Sequence, residues 1–553
     1  MFSTLAVLAL AQATTAEPPQ LPEVGTPPAM ILDRLGEHRR AINTDSEEAR
    51  MWFDQGLALM HGYNFDGAIA SFRQATVHDP ECAMAWWGIA YSAGPNQNNP
   101  DIVPPRDQWS YAAAQRALEL KDSERGANQA LIEAIGHRYN YPMPEDLAEQ
   151  NLDYLEAIQE AHEKYPMDPD LAAWTAEAML VTQPWAYWTL DGEPLNRTPE
   201  FRAILEDVMR RHPNHPAANH LYIHVMESSP WPEIAEPAAD RLIDLIPAAG
   251  HLVHMPSHIW MQTGRYDDAA DCNRRAAALD DAWFETDPNA GEYRFYMAHN
   301  RHFLAFAATM QGRKREAVAA IRAITEEVPP QLMEGMAFIS DGVSSAKWHV
   351  LTRFGMWEEI LAEPTSPEWA KVNIAMRHYA RGIAYANTDR IPEAQSELAA
   401  FDEAVKNIPT KDWYMGNQEA AEIMPLGRLV LEGEIEFKAG NRHKGLELLT
   451  KAVEMEERLV YAEPAPWMMP ARHALGALLI VDGQYAAAEK VYLRDLEIFP
   501  ANGWALLGLR DALRGQGRDE EAEMADDAFR KAWRSADVLP PASCYCGEAV
   551  ATP

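Results

Sequence analysis

Four cysteines in 553 residues are too few to build a disulfide-held scaffold. Cys82 and Cys272 read as small core residues. Cys544-Tyr-Cys546 reads as a pair without a role, a strained local disulfide and a weak metal-handling pair being the alternatives. Basic residues are scarce as well, 48 against 83 acidic ones, for a formal charge of -35. Such a surface repels phosphate backbones and anionic lipid, so the expectation is no nucleic acid partner and no membrane-surface binding. No stretch beyond the N-terminus reaches the 18 or so apolar residues of a membrane span. The sharper catalytic signatures are missing too: no His-Glu-x-x-His, no phosphate loop, no Gly-x-Ser-x-Gly and no dinucleotide fingerprint.

What is present begins with "MFSTLAVLALAQATTAEPPQ", an apolar run from Leu5 to Ala11 followed by small residues suited to cleavage after Ala13 or Ala16. It resembles a secretory signal and departs from one in lacking Lys or Arg before the apolar run. The expectation is a signal peptide over 1–16 and a periplasmic or secreted protein. Residues 17–45 form a Pro-rich linker with little to pack.

From residue 46 the chain turns helical and repetitive. Trp52, Gly56, Leu59, Ala68-x3-Phe72 and Pro80 are matched near the other end by Leu475, Gly476, Leu479, Gly483, Tyr485, Ala488-x3-Tyr492 and Pro500. Two antiparallel helices need a small residue where their backbones come closest (Gly56 against Ala68), and a proline ends the second. A turn signature recurs in "GRYDDA" (264–269), "GRKREA" (312–317), "TDRIPEA" (388–394), "AGNRHKG" (439–445) and "GRDEEA" (517–522). On these motifs the chain resembles the tetratricopeptide repeat superfamily. The resemblance implies an all-α, right-handed superhelical solenoid of about eleven or twelve helix-turn-helix units. It implies nothing sharp about activity, since such solenoids usually bind other proteins. The segments "HMPSHIWMQTGRYDDA" and "NGWALLGLRDALRGQGR" further resemble a group of large bacterial tetratricopeptide proteins, a likeness that carries no activity with it.

The expected organisation is an N-terminal array over 46–325, a C-terminal array over 326–535 and a tail over 536–553. Two insertions break the period, 94–107 and 183–200, the second carrying Trp185, Tyr187 and Trp188. Each is a lid over a pocket or a surface excursion.

Eighteen histidines are spread over the chain, yet "HLVHMPSH" (251–258) holds three of them. With the turn glycine set at repeat position 15, the resemblance implies that positions 2, 5, 9, 12 and 13 of each first helix face the concave groove. Gly264 then places His251, His254 and His258 in the groove, and Gly312 places His299 and His302 there. A register anchored on Pro247 adds His220, His224 and Glu227. Fifteen such slots would hold about half a histidine at the chain's average frequency. Pro256 either kinks this helix or starts it, leaving His251 and His254 on an extended segment. Tyr222 falls on the packed side; His212 and His215 read as loop residues. His349 and His473 fall at groove positions of later units and read as lone groove or core histidines.

Crowded imidazoles depress one another's pKa, and neutral imidazole is a common metal ligand. The expectation is a transition-metal site (zinc, copper, iron or nickel) built from His220, His224, His251, His254, His258, His299 and His302. Glu227 is then a ligand or a general base. A metalloenzyme performing hydrolysis or oxidation of a small molecule would use an open coordination position there. The competing expectation is a metal-free interaction scaffold whose groove binds a peptide or a partner protein.

Overall fold

The computed structural model describes residues 19–23, 30–102, 104–287 and 293–547. The signal-peptide segment therefore lies outside the described residues. The chain is all-α, and among the described residues the only strands are the short hairpin of β1 (Tyr414–Met415) and β2 (Gln418–Glu419).

Two compact units are interleaved in sequence. The first runs to Ile259 and takes in Arg275–Arg294; the second takes Trp260–Arg274 and everything from Phe295 onward. The first is built from α1 (Glu47–His61), α2 (Phe65–His78), α3 (Ala83–Ser92), α4 (Arg106–Glu119), α5 (Ala127–Ile135) and α6 (Ala148–Lys164). It continues with α7 (Pro169–Val181), α8 (Thr198–Arg211), α9 (Pro216–Met226), α10 (Glu236–Leu242) and α11 (Gly250–His254). Two helices, α12 (Pro256–Gln262) and α13 (Tyr266–Thr286), carry the chain between the units. The second unit has α14 (Tyr293–Met310) from Phe295 onward, α15 (Lys314–Glu327), α16 (Pro330–Gly335), α17 (Ala337–Arg353), α18 (Trp357–Ala362) and α19 (Lys371–Ala386). Its remaining helices are α20 (Ile391–Val405), α21 (Ala420–Lys438), α22 (Arg442–Glu456), α23 (Ala471–Val481), α24 (Tyr485–Ile498), α25 (Gly503–Gly515) and α26 (Asp519–Ala532).

The repeat motifs become antiparallel hairpins in both units, α1 against α2 and α23 against α24 among them. The close approach differs from the expected one. Gly56 faces the ring of Phe72 rather than Ala68, and Gly88 of α3 faces the same ring, a Cβ at either position falling 2.7 Å from it. Phe72 thus keys three successive helices together through two glycines. In the second unit Tyr492 is held in the same way between Gly476 and Gly508. The turn glycines Gly264, Gly312, Gly483 and Gly517 all have φ between 69° and 78°, the left-handed conformation that ends a helix at no steric cost.

The Pro-rich lead-in packs more than its composition suggests. Gln55 Oε1 accepts from the Leu32 amide at 2.9 Å, and Glu124 Oε1 accepts from the Asn43 amide at 2.8 Å. Arg40, buried, reaches Asp168 and Asp170 of the α6–α7 corner. Near the other end, Cys544 and Cys546 are joined as a disulfide, and Ser543 hydrogen-bonds Tyr492 at 2.6 Å. That replaces the expectation of a cysteine pair without a role.

Candidate metal centre

In α9 the spacing of four sets His220 and His224 on one face, and Glu227 follows as the C-cap. Tyr222 points the other way and donates to Glu206 at 2.9 Å. Pro256 resolves the expected alternatives by opening a new helix: it is the first residue of α12, where its missing N–H costs nothing. His251 and His254 consequently sit on their own short helix, α11, instead of an extended segment, and His258 lies in the first turn of α12.

The first unit brings five of the seven histidines into one buried chain of contacts. His251 Nε2 is 3.1 Å from His220 Nε2, which is 3.2 Å from His224 Nε2. His254 Nε2 is 2.9 Å from His258 Nε2. All five rings, with Glu227, are at most 4% exposed. His299 and His302 belong to the second unit, where His299 packs on Phe303 and His302 Nε2 lies 3.2 Å from Met468 Sδ.

Glu227 explains how the rings are aimed. Its Oε1 is 3.2 Å from His224 Nδ1 and its Oε2 is 2.6 Å from His258 Nδ1. A carboxylate taking the Nδ1 proton fixes the tautomer and leaves the Nε2 lone pair for something else. Burial pushes the Glu227 carboxyl up, but the charges and hydrogen bonds of His258 and His224 outweigh it and hold the group down at about 2. It is an ionised carboxylate with both oxygens on imidazole, which suits ring orientation. His220 is kept well below the ordinary imidazole value, first by burial and then by His224, His258 and His61. It is therefore neutral and has a lone pair to give.

Three nitrogens held about 2.0–2.1 Å from one tetrahedral ion lie about 3.3–3.4 Å apart. The Nε2 atoms of His251, His220 and His224 already have two such spacings, and all three lie within 4.8 Å of one another. Bare lone pairs facing at this distance repel; a cation or a shared proton is what makes the arrangement favourable. These residues fit a three-imidazole site.

Aromatic side chains wall the site. The ring of Tyr63 meets His220 edge-on at 4.5 Å and stacks on His251 at 5.3 Å, while its hydroxyl donates to Glu177 at 2.6 Å. Tyr63 occupies the turn position that glycine fills elsewhere, at φ 53°. Gly62 lets that turn approach α11, since a Cβ there would fall 2.7 Å from the Ala249 methyl. The 183–200 insertion lies over α9: Trp185 meets His224 edge-on at 5.5 Å, and Trp188 Nε1 donates to the Val225 carbonyl at 2.7 Å. Its Tyr187 donates to Gln97 at 2.5 Å, so the two insertions meet. The 183–200 insertion is part of the wall, and Gln97 of the other insertion packs behind it.

A second group escaped the sequence reading. His38 Nε2 and His215 Nε2 lie 2.8 Å and 3.0 Å from Asp170 Oδ1, and His61 Nε2 lies 3.9 Å from it. His215 is no loop residue: it caps α9, its Nδ1 accepting from the Ala218 amide at 3.2 Å. His212 does lie exposed at the end of α8. The only hint in the sequence was His61 at the end of a first helix; His38, Asp170 and His215 sit in no shared period with it.

The two later groove histidines differ from each other. His473 is saturated, with Arg353 on Nδ1 at 2.6 Å and Asp495 on Nε2 at 2.8 Å. His349 is buried edge-on against Trp467 at 4.4 Å, and neither ring nitrogen has a hydrogen-bond partner.

No helix among the described residues is long and apolar enough to cross a membrane. No family model matches the sequence, and no curated protein matches it. Among solved structures, the human IFIT1 dimer with m7Gppp-AAAA is 12% identical with a TM-score of 0.31, the match covering 77% of this chain and 87% of that one. The APC/C hetero-tetramer Cut9-Hcn1 is 10% identical with a TM-score of 0.29, covering 88% of this chain and 76% of that one. At these scores neither contributes to the reading of the site. With its glycine-clasped aromatics and recurring turns, the chain is an all-α protein built of repeated antiparallel helical hairpins.

Proposed function

We propose that this is an exported repeat protein that binds one transition-metal ion through His220, His224 and His251. The observation that carries the reading is the spacing of three buried Nε2 atoms, 3.1 Å and 3.2 Å along the chain of contacts. Glu227 acts as the carboxylate that orients His224 and His258. A bound ion with three imidazole ligands keeps a fourth position for water or a small molecule, the arrangement of catalytic rather than purely structural sites. Tyr63 and Trp185 would form the apolar rim of that position. The peptide-binding alternative calls for an accessible groove, whereas these imidazoles are at most 4% exposed. Export rests on the N-terminal apolar run.

The test is elemental analysis of protein purified without a His tag or chelators, beside a His220→Ala/His224→Ala variant. About one ion per chain more in the parent than in the variant is the expected result, and the element lost names the ion. A parent that is metal-free and takes up no zinc, copper, iron or nickel would sink the reading.

A further inference from the structure

The group around Asp170 differs from the central imidazoles in donor set, and its candidate ligands His38, His61 and Asp170 come from other elements. His38 comes from the lead-in, His61 is the last residue of α1, Asp170 stands in the first turn of α7, and His215 caps α9. The ligand atoms of His38, His61 and Asp170 all lie within 4.8 Å of one another.

Two details separate this group from an ordinary buried ion-pair cluster. The first is protonation. Because His215 Nδ1 accepts from the Ala218 amide, its proton sits on Nε2 and is donated to Asp170. His215 therefore steadies the carboxylate and is no ligand itself. His61, by contrast, has its Nε2 buried with no hydrogen-bond partner, 3.9 Å from Asp170 Oδ1, and its ring lies parallel to Trp174 at 6.0 Å. A buried ring nitrogen left without a partner is costly and needs an occupant to offset it.

The second is charge. Arg40 reaches Asp170 Oδ2 at 2.8 Å, but it also meets both oxygens of Asp168, at 3.0 Å and 3.1 Å. Two carboxylates and one guanidinium leave one negative charge over, and that charge faces the imidazoles. The His38 side chain is 18% exposed, which opens a way in from solvent.

We infer that His38, His61 and Asp170 form a second metal site, taking a divalent first-row cation such as zinc through two imidazoles and one carboxylate. The harder carboxylate distinguishes it from the central three-imidazole site, so the two sites would rank metals differently. His61 at the C-terminal end of α1 adds the negative end of a helix dipole, which favours a cation.

The experiment uses the full chain without tag or chelator. The parent, His220→Ala/His224→Ala, and that double variant carrying either His61→Ala or His38→Gln are saturated with Zn²⁺ and desalted. Bound zinc is then counted by mass spectrometry, and Co²⁺ loading supplies a visible spectrum for each. The double variant is expected to retain about one zinc. Adding either substitution should remove that zinc or weaken it at least about tenfold. His38 lies in a partly exposed segment, so His38→Gln keeps the test valid if His61→Ala disturbs the fold by circular dichroism. A folded double variant that binds no zinc overturns the inference, as does retained zinc indifferent to both substitutions. If the parent and the double variant bind equal zinc and His61→Ala removes it, the central site fails and this one stands.

Discussion

In the first unit Phe72 is clasped between Gly56 and Gly88; in the second, Tyr492 is clasped between Gly476 and Gly508. The two hairpins share their frame and differ in what their groove faces carry. Around the first lie mutually facing imidazoles with an oriented carboxylate. Beside the second, His473 at the matching face is consumed by Arg353 and Asp495. The frame is thus indifferent to the chemistry it supports: packing asks for small and aromatic residues at fixed positions and leaves the groove positions free to vary.

The largest expected effect falls on the shared frame. Phe72→Ala and Tyr492→Ala should each cost ~3–5 kcal/mol, since each empties a contact with three helices. Urea midpoints check this, and a loss under ~1 kcal/mol for either would break the parallel between the units.

Next comes the chemistry that separates them. Glu227→Gln should weaken zinc binding ~10–100-fold in a chelator competition, because the amide cannot accept a proton contact from both Nδ1 atoms without offering an N–H to one of them. Unchanged affinity would mean the rings are held by packing alone.

A third comparison is within the second unit, His349 against His473. Burial, with His302 adding to it, pushes His349 down to about 3, while the unfolded chain protonates imidazole near pH 6.5. Between those values the unfolded state binds more protons, so stability is full above about pH 6.5 and falls as acid is added, by ~1.4 kcal/mol per pH unit for this one group. His349→Phe should flatten that limb by one proton. Urea midpoints at neutral and mildly acidic pH read it, and an unchanged slope would show that His349 already titrates in the fold.

The smallest effect tests the turns. Gly483 has φ 78° and nothing within 4 Å of an added Cβ, so Gly483→Ala should cost only the left-handed strain, ~1 kcal/mol. Gly264 has the same φ but the Pro500 carbonyl 2.5 Å from that Cβ, and Gly264→Ala should cost measurably more. Equal losses in thermal melts would mean that the backbone at Pro500 gives way freely.

Much of this frame was legible in the sequence, because its signals are local: Gly56 and Phe72, Gly476 and Tyr492, and the turn glycines recur at short fixed spacings. The pairing of His220 with His224 and of His254 with His258 was legible for the same reason, each pair being one helical turn apart. The His61 group was not, since His38, Asp170 and His215 meet across 132 and 45 residues with no common period. Nor was the role of Glu227, which depends on Nδ1 atoms from two different helices reaching one carboxylate. The lead-in misled through its prolines, which suggest solvation; its buried guanidinium, Arg40, finds its partners about 130 residues away.

The interleaving of the two units has a consequence for how the protein is made. The first is complete only when Arg275–Arg294 has been synthesised, after Trp260–Arg274 has already been committed to the second. No single cut of the chain separates the units cleanly: one after residue 294 keeps the first whole but carries Trp260–Arg274 of the second with it. Emerging from the ribosome or a translocation channel, the imidazole-bearing helices α9 and α11 must wait, unfinished, until residue 294 is free. An N-terminal fragment ending before residue 294 would therefore hold the histidine-bearing helices without the whole of their unit.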